Sequence, residues 1–123
     1  MVYTSASLSL AALELFVHLA PDDAPDDLVS IPADIPDSVA SDELRVSDLP
    51  ADWRELPAPE ALAAMGTRWA KEPRSAVLAV PSAVVPVERN FLLNPLHPAF
   101  RAIRIGPPEP FALDPRMWKR SAR

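Results

Sequence analysis

Apolar and polar positions along the chain divide it into a few short elements joined by proline-bounded connectors. Met1 to Thr4 is short and β-prone. From Leu8 onward, Leu8, Ala11, Ala12, Leu15, Phe16 and Leu19 recur at helical spacing, and either Ser5 or Ser7 can cap a helix reaching about Leu19. Leu10, Leu13 and Val17 make the remaining side of that helix apolar as well, a pattern that predicts a helix buried in the interior. The polar run APDDAPDD ends it. Leu28 to Ile31 then reads as a strand, the acidic stretch to Glu43 as loop, Leu44 to Val46 as a short strand, and Leu49 to Trp53 as a compact turn burying the tryptophan.

Pro57 suits the first turn of a second helix, with Ala61, Leu62, Met65 and Trp69 on its apolar face and an end near Lys71 to Pro73. Gly66 inside it weakens the helix, which points to close packing against a neighbour. Ala76 to Val80 and Asn90 to Leu93 are continuous apolar runs of the kind buried on both faces. Leu96 to Pro98 reads as a turn, with His97 as a turn residue, and Phe100 to Ile105 as a strand whose alternation is out of phase. The tail PFALDPRMW closes the domain, with Asp114 and Arg116 paired in a fold-closing salt bridge.

Composition narrows the function classes. A chain of 123 residues without internal repeats is expected to be one domain. The lack of cysteine removes disulfides, thiolate nucleophiles and thiolate metal sites, and the two histidines have no carboxylate set at ligand spacing, so no metal site is expected. A net charge of −5 argues against direct nucleic-acid binding. No apolar run is long enough to span a bilayer, and the first twenty residues lack a basic leader and carry Glu14, so the expectation is a cytoplasmic protein. Sixteen prolines against two glycines imply stiff corners and short elements.

Four polar residues stand inside the apolar stretch from Ser75 to Phe100: Ser82, Glu88, Asn90 and Asn94. Polar groups in a core require partners. Local turn chemistry beside prolines is one account of the serine and the asparagines, and a site is the other. Glu14 poses the same alternative, being the single acid of an apolar helix. It is either a buried group put to use, or a rim residue that reaches water or pairs with His18 one turn on.

The strings V-P-S-A-V-V-P-x-E-x-N-F-L-L-N-P-x-H-P (residues 80–98) and Y-T-S-x-S-x-x-L-A-A-L-E-x-x-V-H-L (residues 3–19) resemble the RES domain, the toxin of a family of bacterial toxin–antitoxin pairs. That resemblance covers Val2 to Arg116 and implies an α+β, ADP-ribosyltransferase-like fold, with small mixed sheets and a buried central helix. It implies NAD as substrate, cleaved at the nicotinamide–ribose bond with phosphate, water or a protein side chain as acceptor. Glu14 and Ser82 match the family's Glu and Ser and would be catalytic. Tyr3, Ser82 and Asn90 would form the NAD-binding set: Tyr3 closes over the nicotinamide, and Asn90, with Asn94, pins the Ser82 loop.

An Xre-like antitoxin is the implied partner. The family's amino-terminal strand and its G-G-R-W-N-like arginine motif have no match here, and Arg45, Arg68 and Arg74 do not sit in such a motif. Residues 1–123 are therefore read as a single RES-like domain lacking that segment, with a sheet edge open to another chain, a homodimer included. The alternative function is a catalytically weak remnant that binds the antitoxin.

Overall fold

The structure, a computed structural model, describes residues 1–20, 23, 25–56, 58–71 and 74–118. Its centre is a four-stranded sheet of order β1-β6-β5-β4, formed by β1 (Val2–Ser5), β6 (Arg89–Leu93), β5 (Val77–Pro81) and β4 (Ser41–Glu43). β5 pairs antiparallel with β6, which pairs antiparallel with β1, while β4 runs parallel to β5. A parallel pair needs a crossover, and helix α2 (Glu60–Lys71) supplies it between β4 and β5.

The strand with the longest apolar run lies inside the sheet. Ala76 to Ala79 are all buried, as a strand covered on both faces requires. Val39, Ala76, Val77, Leu93 and Ile103 form the hydrophobic core, with Ile35, Phe91, Ala99 and Phe100 packed against them. Two-stranded ribbons flank it: β2 (Val29–Ser30) with β8 (Glu109–Pro110), and β3 (Ala33–Asp34) with β7 (Arg104–Ile105). Gly106 follows β7, its N–H bonded to the Pro32 carbonyl at 2.8 Å. A Cβ there would stand 2.7 Å from the Pro32 ring, so the ribbon requires glycine.

Several elements depart from the sequence expectation. Helix α1 covers Leu8–Phe16, with Ser7 as its cap accepting from the Leu10 N–H; the expected last turn survives only as three-residue bonds from His18 to Leu15 and from Leu19 to Phe16. Leu10 alone of the helix is buried, while Leu8, Leu13 and Val17 are exposed. α1 is therefore less enclosed than its all-round apolar composition predicts, because only one of its faces meets the sheet. The expected strand at Leu44 to Val46 is displaced to Ser41–Glu43, an edge position that tolerates polar residues. Val46–Asp48 instead forms a 3-10 turn, in which the Asp48 carboxylate captures the Arg45 N–H at 2.8 Å.

The out-of-phase stretch after Pro98 is likewise split between a 3-10 turn (Pro98–Ala102) and β7. His97 is a turn residue as expected, its Nδ1 accepting from the Ala99 N–H at 3.0 Å. The tail closes onto α1 through an edge-to-face contact of Trp118 with Phe16, ring centroids 5.1 Å apart. The Asp114–Arg116 pair is formed at 2.7 Å but is exposed and two residues apart, so it shapes its own turn and does not close the fold. Gly66 has no tight neighbour among the described residues: a Cβ there would meet the Met1 side chain at 4.0 Å.

Candidate active site

Strand register assembles the site. The β1–β6 pairing sets Ser5 opposite Asn90, and alternation along β1 puts Tyr3 on the same face as Ser5. α1 lies over that face, and Glu14 is one helical turn beyond Leu10, its buried anchor. Ser82 follows directly on β5, next to Asn90 across the hairpin.

Asn90 is fully buried and uses its whole amide. Its Oδ1 accepts from Ser5 Oγ at 2.7 Å, and its Nδ2 donates to Tyr3 Oη at 2.9 Å and to Glu14 Oε2 at 2.6 Å. Ser82, also fully buried, donates from Oγ to the same Glu14 Oε2 at 2.7 Å. The Ser82 oxygen in turn accepts from the N–H groups of Val84 and Val85, at 3.1 and 3.0 Å. Local turn chemistry holds for Ser82, its turn amides aiming the hydroxyl, and the hydroxyl proton goes to the Glu14 carboxylate. Glu14 directs its bonds across to the sheet rather than along the helix to His18. Its Oε1 has no hydrogen-bond partner among the described residues.

Tyr3 reaches the cluster with its hydroxyl while the residue stays 61% exposed, leaving ring surface for a ligand. Its pKa is raised above the ordinary tyrosine value. Burial of the hydroxyl is the main cause and the nearby Glu14 charge the second, while the Asn90 hydrogen bond works the other way. A cleft of about 610 Å³ opens beside the cluster, with Tyr3, Ser5, Leu8, Ala11, Leu15 and Ile31 among its lining residues. That size suits a small-molecule ligand. Glu14, Ser82 and Asn90 do not line it, so the polar cluster joins the cleft through Tyr3 and Ser5.

The structure thus brings together Tyr3, Glu14, Ser82 and Asn90. Asn94 stays apart: its Oδ1 caps the Leu96 N–H at 3.1 Å, at the other end of β6. It does not pin the Ser82 loop, because four residues of extended strand separate it from Asn90 by about 13 Å. Two residues that sequence reasoning passed over also take part. Ser5 reads from the sequence as a candidate helix cap, although its alternation with Tyr3 places both on one face. Arg54 reaches the Ser82 loop, its Nε 2.8 Å from the Ala83 carbonyl; nothing local in the sequence signals that contact across 29 positions.

A small mixed sheet with two helices, and a polar cluster held between one helix and the sheet, has the ADP-ribosyltransferase-like α+β architecture. The family is narrower than that class. The RES domain family model matches residues 1–114, and this chain belongs to the RES domain family. Among its relatives is the Prs ADP-ribosylating toxin of a Sphingobium strain, 37% identical over 123 aligned residues covering 98% of this chain and 76% of the relative. Toxin Res of Yersinia enterocolitica is 38% identical over 117 residues, covering 94% of this chain and 76% of the relative. Toxin Res of Photorhabdus laumondii is 35% identical, with 96% and 76% covered.

Proposed function

We propose that this chain is a toxin that consumes NAD by breaking the nicotinamide–ribose bond. The observation that carries this reading is the fixing of one Glu14 oxygen by Ser82 and Asn90, while the other oxygen has no partner among the described residues and can meet a ligand. The names of the relatives, toxins and in one case an ADP-ribosylating toxin, support the same chemistry.

Nicotinamide in NAD is a pyridinium and leaves as a neutral base carrying the bond's electron pair. Its departure therefore needs no general acid, and a single carboxylate suffices where ordinary glycosidases use two. Positive charge develops on the ribose, and Glu14 stabilises it and holds a ribose hydroxyl. Ser82 and Asn90 act by orienting Glu14, and the exposed Tyr3 ring closes over the nicotinamide. An acceptor oxygen then bonds to the ribose carbon: a phosphate oxyanion directly, or water or a side-chain hydroxyl with loss of its proton to solvent. We place this activity in one domain, residues 1–123, working in the cytoplasm and restrained by an Xre-like antitoxin.

Nicotinamide release from NAD by the purified chain, with and without phosphate, tests the reading. Glu14→Gln keeps the shape of the side chain and removes its charge, and it should lower the rate by about a hundredfold or more, the scale of a lost electrostatic contact. Full turnover by that variant would sink the proposal. Dependence on phosphate separates phosphorolysis from hydrolysis.

A further inference from the structure

The loop that carries Ser82 is tied down from outside its own hairpin by an arginine. From Ser82 to Glu88 the loop holds itself through the Ser82 N–H to Glu88 carbonyl bond at 2.9 Å and the Glu88 N–H to Val85 carbonyl bond at 2.8 Å. Ser82 Oγ closes its first turn on Val84 and Val85, so the direction of the hydroxyl follows the backbone of residues 82–85. Arg54 Nε donates to the Ala83 carbonyl at 2.8 Å, in the middle of that segment. Arg54 itself is presented by a turn closed by the Trp53 N–H on the Pro50 carbonyl, with the Trp53 side chain half-buried as its anchor. Arg54 forms no salt bridge among the described residues, so this loop carbonyl is its one protein partner there.

We propose that Arg54 is a positioning residue of the site: it holds the Ala83 carbonyl and thereby sets the Ser82 hydroxyl on Glu14. A charged donor on a carbonyl is stronger than a neutral one, and the guanidinium plane fixes the angle as well as the distance. Losing that tether lets residues 82–85 rotate. Ser82 then no longer holds Glu14 Oε2, although the pocket stays formed. The effect belongs on turnover rather than on substrate affinity, because Arg54 acts through Ser82 and Glu14.

The inference rests on the NAD-cleaving reading for its kinetic arm and has a second arm that does not. Steady-state nicotinamide release by the full chain is compared for the wild type, Arg54→Ala and Arg54→Lys, beside amide hydrogen exchange at Val84 and Val85. Arg54→Ala should lower kcat about tenfold with KM for NAD unchanged, and Arg54→Lys, which keeps a charged donor, should recover to within about threefold. Unchanged kcat in Arg54→Ala overturns the proposal, and so does a raised KM at intact kcat, the mark of direct substrate contact. If the wild type releases no nicotinamide, the NAD reading fails and exchange decides. Acceleration of about tenfold at Val84 and Val85 in Arg54→Ala, reversed in Arg54→Lys, supports the tether, and unchanged exchange refutes it.

Discussion

Asn90 Nδ2 and Glu14 Oε2 are 2.6 Å apart, a bond between residues 76 positions apart in the chain. It links the last turn of α1 to the second strand of the sheet, and the same asparagine also binds Ser5 and Tyr3. Asn90 is thus the joint through which helix and sheet share one polar cluster.

Asn90→Ala removes all three bonds, taking a donor from the half-buried Glu14, an acceptor from the half-buried Ser5 and a donor from the Tyr3 hydroxyl. One of those bonds is to a carboxylate, so the expected loss is about 2–4 kcal/mol of stability, more than a neutral surface asparagine would cost. Urea denaturation of the variant and the wild type, with equal slopes, measures it. A change below about 0.5 kcal/mol would show that the cluster contributes little to holding α1 on the sheet.

Tyr3 is the single tyrosine of the chain, so ultraviolet absorbance of phenolate formation reports it alone. The wild-type curve should lie on the alkaline side of the ordinary value of 10.0. Glu14→Gln removes a neighbouring negative charge and should move it down, whereas losing the Asn90 donor should move it further up. The stability linkage has a definite sign. Raising an acid's pKa in the folded state favours its neutral form there, so the contribution is full below pH 10 and is lost as pH rises through the folded-state value. The stability lost as Tyr3 ionises should therefore be smaller in Glu14→Gln than in the wild type.

The two glycines should respond to alanine with opposite signs. Gly66 lies within α2 with open space around it, so Gly66→Ala should stabilise by about 0.5–1 kcal/mol through helix propensity. Gly106 faces the Pro32 ring at 2.7 Å, and a methyl there should cost about 1–3 kcal/mol by forcing β3 and β7 apart. Thermal melts of the two variants decide both at once, and destabilisation by Gly66→Ala would reveal packing that the structure does not contain.

Arg116→Ala tests the reassignment of the Asp114–Arg116 pair. Both side chains are in solvent and bonded within one turn, so removal should leave the midpoint of thermal unfolding unchanged. Raised salt should be equally without effect on the difference between variant and wild type. A large loss would mean that the pair braces the Phe16–Trp118 contact after all.

Local patterns were enough for the elements whose reasons are local. Ser7, one of the two candidate caps, caps α1, the β5 and β6 strands fall within a residue of their apolar runs, and α2 runs to Lys71 on the expected helical spacing. Motif strings likewise made Tyr3, Glu14, Ser82 and Asn90 legible as a set. Where two local solutions compete, the sequence could not choose. Leu44 to Val46 reads as a strand, but the Asp48 carboxylate that captures the Arg45 N–H turned Val46–Asp48 into a 3-10 turn.

What only the tertiary structure decided is who bonds to whom. Glu14 and Ser82 are 68 positions apart, and their contact exists because the β1–β6–β5 register and the seat of Leu10 bring helix and hairpin together. Register also drew Ser5 into the cluster and left Asn94 out of it. The exposure of α1 was settled the same way, by how much of its surface the short sheet could cover. Helical and strand periods describe each segment's own faces, but the energy that selects partners is spread over long-range pairs, and no single segment carries it.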